Sequence, residues 1–323
     1  MAATLTTTLN VSGLLYTKTD ESTRFLDAIY ARGKNGGRTQ TNSIEVVMAS
    51  GYEMLDPTQP NISETASLVA PTPETTERTQ EYNVVQIFQR AVQVSYLKQQ
   101  NRDMLSGVNN ANQTNNVPDE LDFQIGRRVS QMRMDLNYTL INGVYQYTKG
   151  SATVAPRTRG LIPAITTNQF DADGEEISKE IFNEALIEAI KNGANPAQME
   201  IWCNPDMFPK IDDFALTIPG FAQPATRTEG GVAVTSIMTH FGILNVEYDM
   251  NIPTGLFILL DMAQMAVAVM PVPYITASGA TAFGDLTYEP LAKTGASESG
   301  QIYGTLGADY GAEWHHGIIK NIA

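Results

Sequence analysis

The chain has 323 residues, of which 42% are hydrophobic and 17% are charged, and its formal net charge is −14. These values are typical of a folded protein with about two domains. The acidic balance argues against a basic nucleic-acid-binding face, because phosphate contacts need clustered lysines and arginines. Cys203 is the only cysteine, which excludes an internal disulfide framework and a thiolate metal cluster.

The sequence contains no segment typical of export or of membrane insertion. Its first ten residues lack the basic start and apolar core of a signal peptide. The most apolar run, residues 255–270, is interrupted by Asp261 and Gln264 and is too short to cross a bilayer. We therefore expect no membrane partner, and synthesis in a reducing cytoplasm.

Residues 1–42 are polar and threonine-rich, with few apolar anchors, among them Phe25 and Leu26. A short helix is predicted over residues 23–31, ended by the glycine-rich stretch 33–37. Such a segment buries little by itself, so it is either a flexible tail or an arm lying on another surface. The pattern alone favours the tail.

From Ile44 the hydrophobic period changes to two, since Ile44, Val46 and Met48 alternate with polar neighbours. A second strand is predicted over residues 82–97, with Val85 and Ile87 on one face. The roughly thirty residues between them contain four prolines, so the pattern predicts a long two-stranded ribbon with an extended tip. Such a ribbon is marginal alone in water. It either folds back onto its own domain or projects across a neighbour, and the shortage of core-forming segments nearby favours projection.

One long helix is predicted over residues 116–147, after a polar loop at 101–117. Asn116 and Pro118 suit a helix start, and Arg127 and Arg133 are expected on the polar face. The apolar residues recur every three or four positions and form one stripe: Leu121, Ile125, Val129, Met132, Leu136, Leu140 and Val144. A helix of this length spans about 45 Å, which suits the spine of a broad, thin body.

The remaining sequence predicts an α/β unit followed by more strands. Ser178 is the expected cap of a helix closed by Asn192 and Gly193, and Asn204 with Pro205 begins a short helix that runs to Phe214. Strands are predicted at 199–203, 232–237, 243–248 and 256–260, with 220–231 as a loop and 262–269 as an apolar segment. The glycine-rich tail from residue 284 predicts further strands that return to the first body. The fold class is therefore α+β.

The candidate catalytic and metal-binding residues form no constellation. His315 and His316 are adjacent, so in a strand they point to opposite faces and cannot share one metal. His240 is predicted in a turn, and Cys203 as a buried, inert thiol. The sequence contains no phosphate loop, no dinucleotide-binding glycine motif and no nucleophile elbow.

Asp171, Asp173 and Gly174 imitate part of a calcium loop, but Gln169 stands where the first aspartate belongs. A loop that leads into the next helix explains these residues better. We therefore predict that the protein is not an enzyme and binds no cofactor or metal.

The order of these parts resembles the major capsid proteins of tailed bacteriophages, which share the Hong Kong 97-type fold. Several stretches also resemble the branch named for the major capsid protein of phage SU10. They are 15–19 (LYTKT), 25–27 (FLD), 57–72, 83–95 (NVVQIFQRAVQVS), 159–161 (RGL), 204–205 (NP) and 289–295 (EPLAKTG). Each stretch alone is weakly specific, whereas their order is specific and covers the chain from end to end.

The resemblance implies an N-terminal arm (1–42), an extended E-loop ribbon (43–97), and a peripheral domain (98–158) with the spine helix. An axial α/β domain (159–283) and C-terminal strands (284–323) returning to the peripheral domain follow. Subunits are expected to form hexamers and pentamers of an icosahedral virion head enclosing double-stranded DNA, without sequence-specific binding. The face with Arg127 and Arg133 would then look into the head. The candidate intersubunit contacts are Phe25, Leu26, Val46, Met48, Ile62, Val69, Val85 and Ile87.

The implied partners are a separate scaffolding protein, a portal and, as a further option, decoration proteins. A fused scaffold is not expected, because the arm begins almost at Met1. No lysine lies between residues 45 and 97, so cross-linking through a ribbon lysine is predicted to be absent. Two alternatives remain open. They are an encapsulin-like nanocompartment shell, indicated by particles with protein cargo and no DNA, and an enzyme with an unrecognised site, indicated by a monomer or small oligomer.

Overall fold

A computed structural model describes residues 9–10, 23–52, 59–73, 75, 78–100, 120–217, 236–276 and 279–323. The helices and strands of the first half are β1 (Leu9–Asn10), α1 (Arg24–Arg32), β2 (Arg38–Gln40), β3 (Glu45–Tyr52), α2 (Glu64–Ser67), β4 (Arg78–Val84), β5 (Gln86–Ser95), α3 (Tyr96–Gln100) and α4 (Glu120–Asn142). The next elements along the chain are α5 (Leu161–Ala164), β6 (Gln169–Asp171), α6 (Lys179–Lys191), β7 (Met199–Cys203), α7 (Phe208–Thr217), β8 (Ser236–Thr239), β9 (Gly242–Tyr248) and β10 (Phe257–Asp261). The last strands are β11 (Ala266–Met270), β12 (Val272–Ile275), β13 (Thr281–Gly284), β14 (Leu286–Pro290), β15 (Ser297–Asp309) and β16 (Gly317–Lys320).

Two six-stranded sheets organise the described chain. The first sheet has the order β1-β14-β15-β11-β2, and β5 also pairs with β15. The second sheet has the order β6-β16-β10-β7-β9-β8. Two hairpins, β3–β4 and β12–β13, stand apart from both sheets. One apolar cluster lies under the first sheet and α4, and another joins α6 and α7 to the second sheet. No described helix is long and apolar enough to span a membrane.

The predicted spine helix exists as α4, although it is shorter than expected. Its 23 residues span about 35 Å, and the proposed caps Asn116 and Pro118 lie outside the described residues. The apolar stripe from Ile125 to Leu140 is buried as predicted. Val144 is beyond the helix and 70% exposed, so its place in the stripe was wrong.

The C-terminal end of α4 lies at a close backbone contact between two glycines, Gly143 and Gly160. The Gly160 N–H donates to the Gly143 carbonyl at 2.7 Å. A Cβ on Gly143 would lie 2.6 Å from the Thr158 carbonyl oxygen, so a side chain there would disrupt the contact between the two glycines. The periodicity of the sequence carries no trace of this long-range contact.

Arg133 does not lie on the polar face of α4. It is fully buried, and its Nη2 lies 2.6 Å from the Asp27 carboxylate of α1 and 3.2 Å from the Thr23 hydroxyl. Arg127 is exposed. The expectation that both arginines look outward together was therefore wrong for Arg133, because α1 packs over that part of the helix.

The predicted ribbon is confirmed for β3 and the first part of its partner. The two strands pair antiparallel from Glu45 opposite Val84 to Tyr52 opposite Arg78, with a bulge after Val47. The predicted single return strand is in fact two, since β5 leaves the ribbon and pairs with β15 over ten residues. Val84 and Val85 are consecutive and both buried, so the break in alternation marks the change of partner.

The described part of the N-terminal segment belongs to the body. Phe25, Leu26 and Ile29 of α1 are fully buried, and β2 pairs with β11 in parallel. Lys34 lies 2.7 Å from the Asp309 carboxylate. The preference for a flexible tail was therefore wrong for residues 23–40, whose partners come from the other end of the chain.

The second half agrees with its predicted helices and β7. The Ser178 hydroxyl accepts from the Ile181 N–H, and the Asn204 side-chain Oδ1 accepts from the Asp206 N–H. The predicted loop 220–231 and residues 232–235 lie outside the described residues. The apolar segment 262–269 divides into a short turn and β11, which joins the first sheet.

The C-terminal strands divide between the two sheets. β14 and β15 join the first sheet, as the predicted return to the first body requires. β16 instead pairs with β10 in the second sheet, and Ile318 and Ile319 are both fully buried there. The prediction that residues 284–323 all return to the first body was therefore wrong for β16.

Candidate intersubunit surface

The tip of the ribbon, residues 59–73, is the most exposed apolar part of the described chain. Every residue in it is exposed. Ile62, Leu68 and Val69 show 72%, 83% and 73% of their surface to solvent. The tip nevertheless has local order, because the Ser63 hydroxyl accepts from the Ala66 N–H at 3.1 Å and caps α2. A grouped set of exposed large apolar side chains is typical of an interaction surface.

The base of the ribbon is anchored by Asn83, which is buried and hydrogen-bonded on both ends of its amide. Its Nδ2 donates to the carbonyls of Arg159 and Ala308, at 3.0 and 2.8 Å. Its Oδ1 accepts from the N–H groups of Arg159 and Val84, at 2.8 and 2.9 Å. These bonds join β4 to β15 and to the loop before α5, so the ribbon leaves the body from a fixed point.

The predicted contact residues fall into two groups. Five are buried inside their own subunit: Phe25, Leu26, Val46, Met48 and Val85. A side chain covered by its own chain has little surface left for a neighbour. Ile62, Val69 and Ile87 are exposed, and the prediction of intersubunit contact stays with these three.

Leu68 was missed, although it is the most exposed of the large apolar side chains in the tip. The signal for it was present in the sequence, because Ser63 starts a short helical turn that Pro71 must end. A groove beside the ribbon base was also missed. It is lined by Ile44, Ile87, Val154, Pro156 and Arg157, which sequence spacing cannot bring together.

The titratable groups considered for chemistry have structural roles. His316 is buried, accepts from the Asp261 N–H through Nδ1, and lies 2.8 Å from the Tyr310 carbonyl through Nε2. Burial lowers the His316 pKa to about 4 and raises the Cys203 pKa to about 12. His240 lies in a turn, as predicted.

The calcium-loop imitation is also structural. The Asp171 carboxylate accepts from the Asp173 N–H and from the Asn321 amide, and these hydrogen bonds lower the Asp171 pKa. Among the described residues, no group of three or more histidine, cysteine, aspartate or glutamate side chains is placed to hold a metal ion.

A spine helix under one sheet, a projecting two-stranded ribbon and a second α/β sheet together define a capsid shell protein of the Hong Kong 97 type. The sequence model of the SU10 major capsid protein family matches residues 1–323, and the chain belongs to that family. It is therefore a major capsid protein of the tailed-phage class, and its family is one of structural proteins. No curated protein sequence matches the chain.

Solved structures share the fold at low sequence identity. The capsid of cyanophage A-1(L) has a TM-score of 0.60 at 11% identity and covers 95% of each chain. A solved structure from Mycobacterium phage Bobi has a TM-score of 0.51 at 13% identity, covering 98% of this chain and 96% of that one. The SrpI encapsulin of Synechococcus elongatus PCC 7942 has a TM-score of 0.55 at 10% identity, covering 95% and 91%. At these identities each likeness shows the fold alone.

Proposed function

We propose that this subunit assembles into hexamers and pentamers of an icosahedral phage head that encloses double-stranded DNA. The observation that carries the proposal is the ribbon tip, where Ile62, Leu68 and Val69 are held in solvent on an anchored ribbon. Fully burying a side chain of this size stabilises by about 1.5–3 kcal/mol. A neighbouring subunit offers that burial, whereas the isolated subunit leaves the three side chains in water.

The charge of the chain supports a shell that holds DNA without binding its sequence. The formal net charge is −14, so the wall repels phosphates on average, and packaged DNA would stay free to move. A separate scaffolding protein and a portal complete the proposed assembly, with decoration proteins as a further option. Synthesis in the bacterial cytoplasm suits the single cysteine, Cys203, whose thiol is free and buried.

The purified protein tests this proposal by sedimentation and electron microscopy. We expect closed shells of megadalton mass, formed by the chain alone or with its co-expressed scaffold. A stable monomer or small oligomer under both conditions would contradict the proposal. Shells from infected cells should contain DNA, whereas shells that contain one protein cargo and no DNA would assign the chain to nanocompartments.

A further inference from the structure

The hairpin of β12 and β13 is an excursion of the chain from the edge of the first sheet. β11 ends at Met270 opposite Thr305 of β15, and β14 begins at Leu286 opposite Gly304. The chain thus leaves β15 and returns to it at the next residue, and the hairpin pairs with no other strand of the described chain. The first sheet does not need the hairpin for its register, and a two-stranded ribbon alone is marginal in water.

One face of this hairpin is apolar and exposed. Pro273 lies opposite Phe283, and Ile275 lies opposite Thr281, so these side chains share one face of the two strands. All four residues are exposed, with 56% of the surface of Ile275 and 66% of that of Phe283 open to solvent. The side chains of the opposite face are half-buried. The hairpin therefore turns one face to its own subunit and leaves the other uncovered.

The uncovered face carries no charge, although the subunit has a formal net charge of −14. Residues 262–284 contain no aspartate, glutamate, lysine, arginine or histidine. Acidic copies of one chain repel each other on average, and the repulsion is smallest where the touching surfaces are uncharged. A nucleic acid would need cations, and a charged protein partner would need the opposite charge. An uncharged apolar face with one phenyl ring instead complements a second copy of itself.

We propose that the hairpin joins two copies of this chain across a two-fold axis, with Phe283 of one copy on Phe283 of the other. Pro273 and Ile275 surround the pair of rings. This inference rests on the proposed shell function. The contact is isologous, since both subunits use the same patch. Rings of subunits are closed by heterologous contacts, so a shell needs a second, different contact that joins one ring to the next.

The contact is weak by itself and acts through its number. Three side chains of this size offer roughly 300 Å² on each subunit, whereas a stable complex buries about 800 Å² per partner. Isolated subunits therefore do not dimerise through the hairpin. Two rings that are held by several such contacts at once gain the strength of multivalent binding.

Opposite charges at one position test the self-contact. Phe283→Asp places two carboxylates against each other and Phe283→Lys two ammonium groups, so each variant alone should reduce the yield of shells about tenfold and leave unjoined rings. Co-expression of the two variants brings opposite charges together and should return the yield to within about threefold of the original. Met250→Asp and Met250→Lys, at a 65% exposed position, are the matched controls, and each should assemble normally.

The outcomes separate this inference from the proposed function. Shells from the unchanged chain, with normal yields from both Phe283 variants, would overturn the hairpin contact and leave the shell function standing. Losses that co-expression does not relieve would also overturn it, because only contact of Phe283 with its own copy predicts the rescue. A lowered unfolding midpoint of the unassembled variants would place Phe283 in the core of its own subunit and contradict the inference. Absence of shells from the unchanged chain would overturn the proposed function itself.

Disulfide trapping locates the two-fold axis. Phe283→Cys should link subunits in pairs on a denaturing gel after mild oxidation of assembled shells, and no longer ladder should form, because an isologous contact uses the position once in each subunit. The native Cys203 is buried and its pKa is raised to about 12, so it contributes little background. Intact shells without linked pairs would overturn the inference.

Discussion

At the scale of single residues, a few buried polar groups join segments that lie far apart in the sequence. The Asp249 carboxylate accepts from the Phe25 N–H at 3.0 Å, and the Asn137 Oδ1 accepts from the Leu26 N–H at 2.8 Å. Asn137 also donates to Asp249 at 2.8 Å. Thr23 makes no side-chain cap, so α4 and the segment after β9 satisfy the first N–H groups of α1. The N-terminus of α1 is therefore capped by tertiary contacts, from Asn137 and Asp249, and not by a neighbouring residue in the sequence.

His316 predicts how stability depends on pH. Its folded pKa of about 4 lies below the ordinary value of about 6.5, because burial disfavours the imidazolium. The unfolded chain therefore binds more protons in this interval. The contribution of the neutral side chain is complete above pH 6.5 and is lost as the pH falls towards 4, by about 3 kcal/mol in total. Asp261, His315 and Glu313 are the titratable groups that act on it.

Urea unfolding of unassembled subunits between pH 7 and 4.5 checks this prediction. We expect His316→Gln to lose less stability over this interval than the unchanged chain, by about 2 kcal/mol. The exposed His240 supplies the control, and His240→Gln should follow the original profile. Parallel profiles for all three proteins would show that His316 has the same pKa in the folded and the unfolded chain, which would contradict this prediction.

At the scale of elements, two glycines at α4 differ in whether the structure leaves room for a side chain. A Cβ on Gly143 would meet the carbonyl oxygens of Thr139 and Thr158 at 2.5 and 2.6 Å. A Cβ on Gly126, inside α4, would meet nothing within 4 Å. Gly143→Ala should therefore reduce the free energy of unfolding by about 2 kcal/mol or more. Gly126→Ala should increase it by about 0.5–1 kcal/mol, because alanine favours the helix.

Thermal and urea unfolding of the two alanine variants would give these changes directly. Each variant is the control for the other, since both add one methyl group to a glycine at the same helix. Equal shifts in one direction would contradict the assigned positions of the two glycines.

The same elements show which features could be predicted from the sequence. The stripe of α4 and the caps Ser178 and Asn204 were predictable, because periodicity and capping are local. The docking of α1, the transfer of β5 to β15 and the entry of β16 into the second sheet were not, since each depends on a partner far along the chain. Of the candidate site, the tip was predictable from its composition, whereas the groove required the fold to bring Ile44, Ile87 and Val154 together.

At the scale of the whole molecule, the chain separates surfaces for folding from surfaces for assembly. Phe25, Leu26 and the stripe of α4 are buried within one subunit, so they stabilise the folded subunit before it contacts a neighbour. Ile62, Leu68 and Val69 are exposed and belong to neither apolar cluster of the described residues. Polar replacements in the tip should consequently leave folding intact and act on assembly alone.

The triple variant I62S/L68S/V69S tests that separation. We expect the unassembled subunit to keep its unfolding midpoint, because the three side chains are already in water, while the yield of shells falls at least about tenfold. Met250→Ser, at a 65% exposed position beyond β9, is a control for replacing an exposed apolar side chain and should assemble normally. Sedimentation measures the shells and circular dichroism the folding. A variant that assembled like the original chain would show that the tip is not the surface that joins the subunits, whereas a lowered unfolding midpoint would place the tip in the folding core.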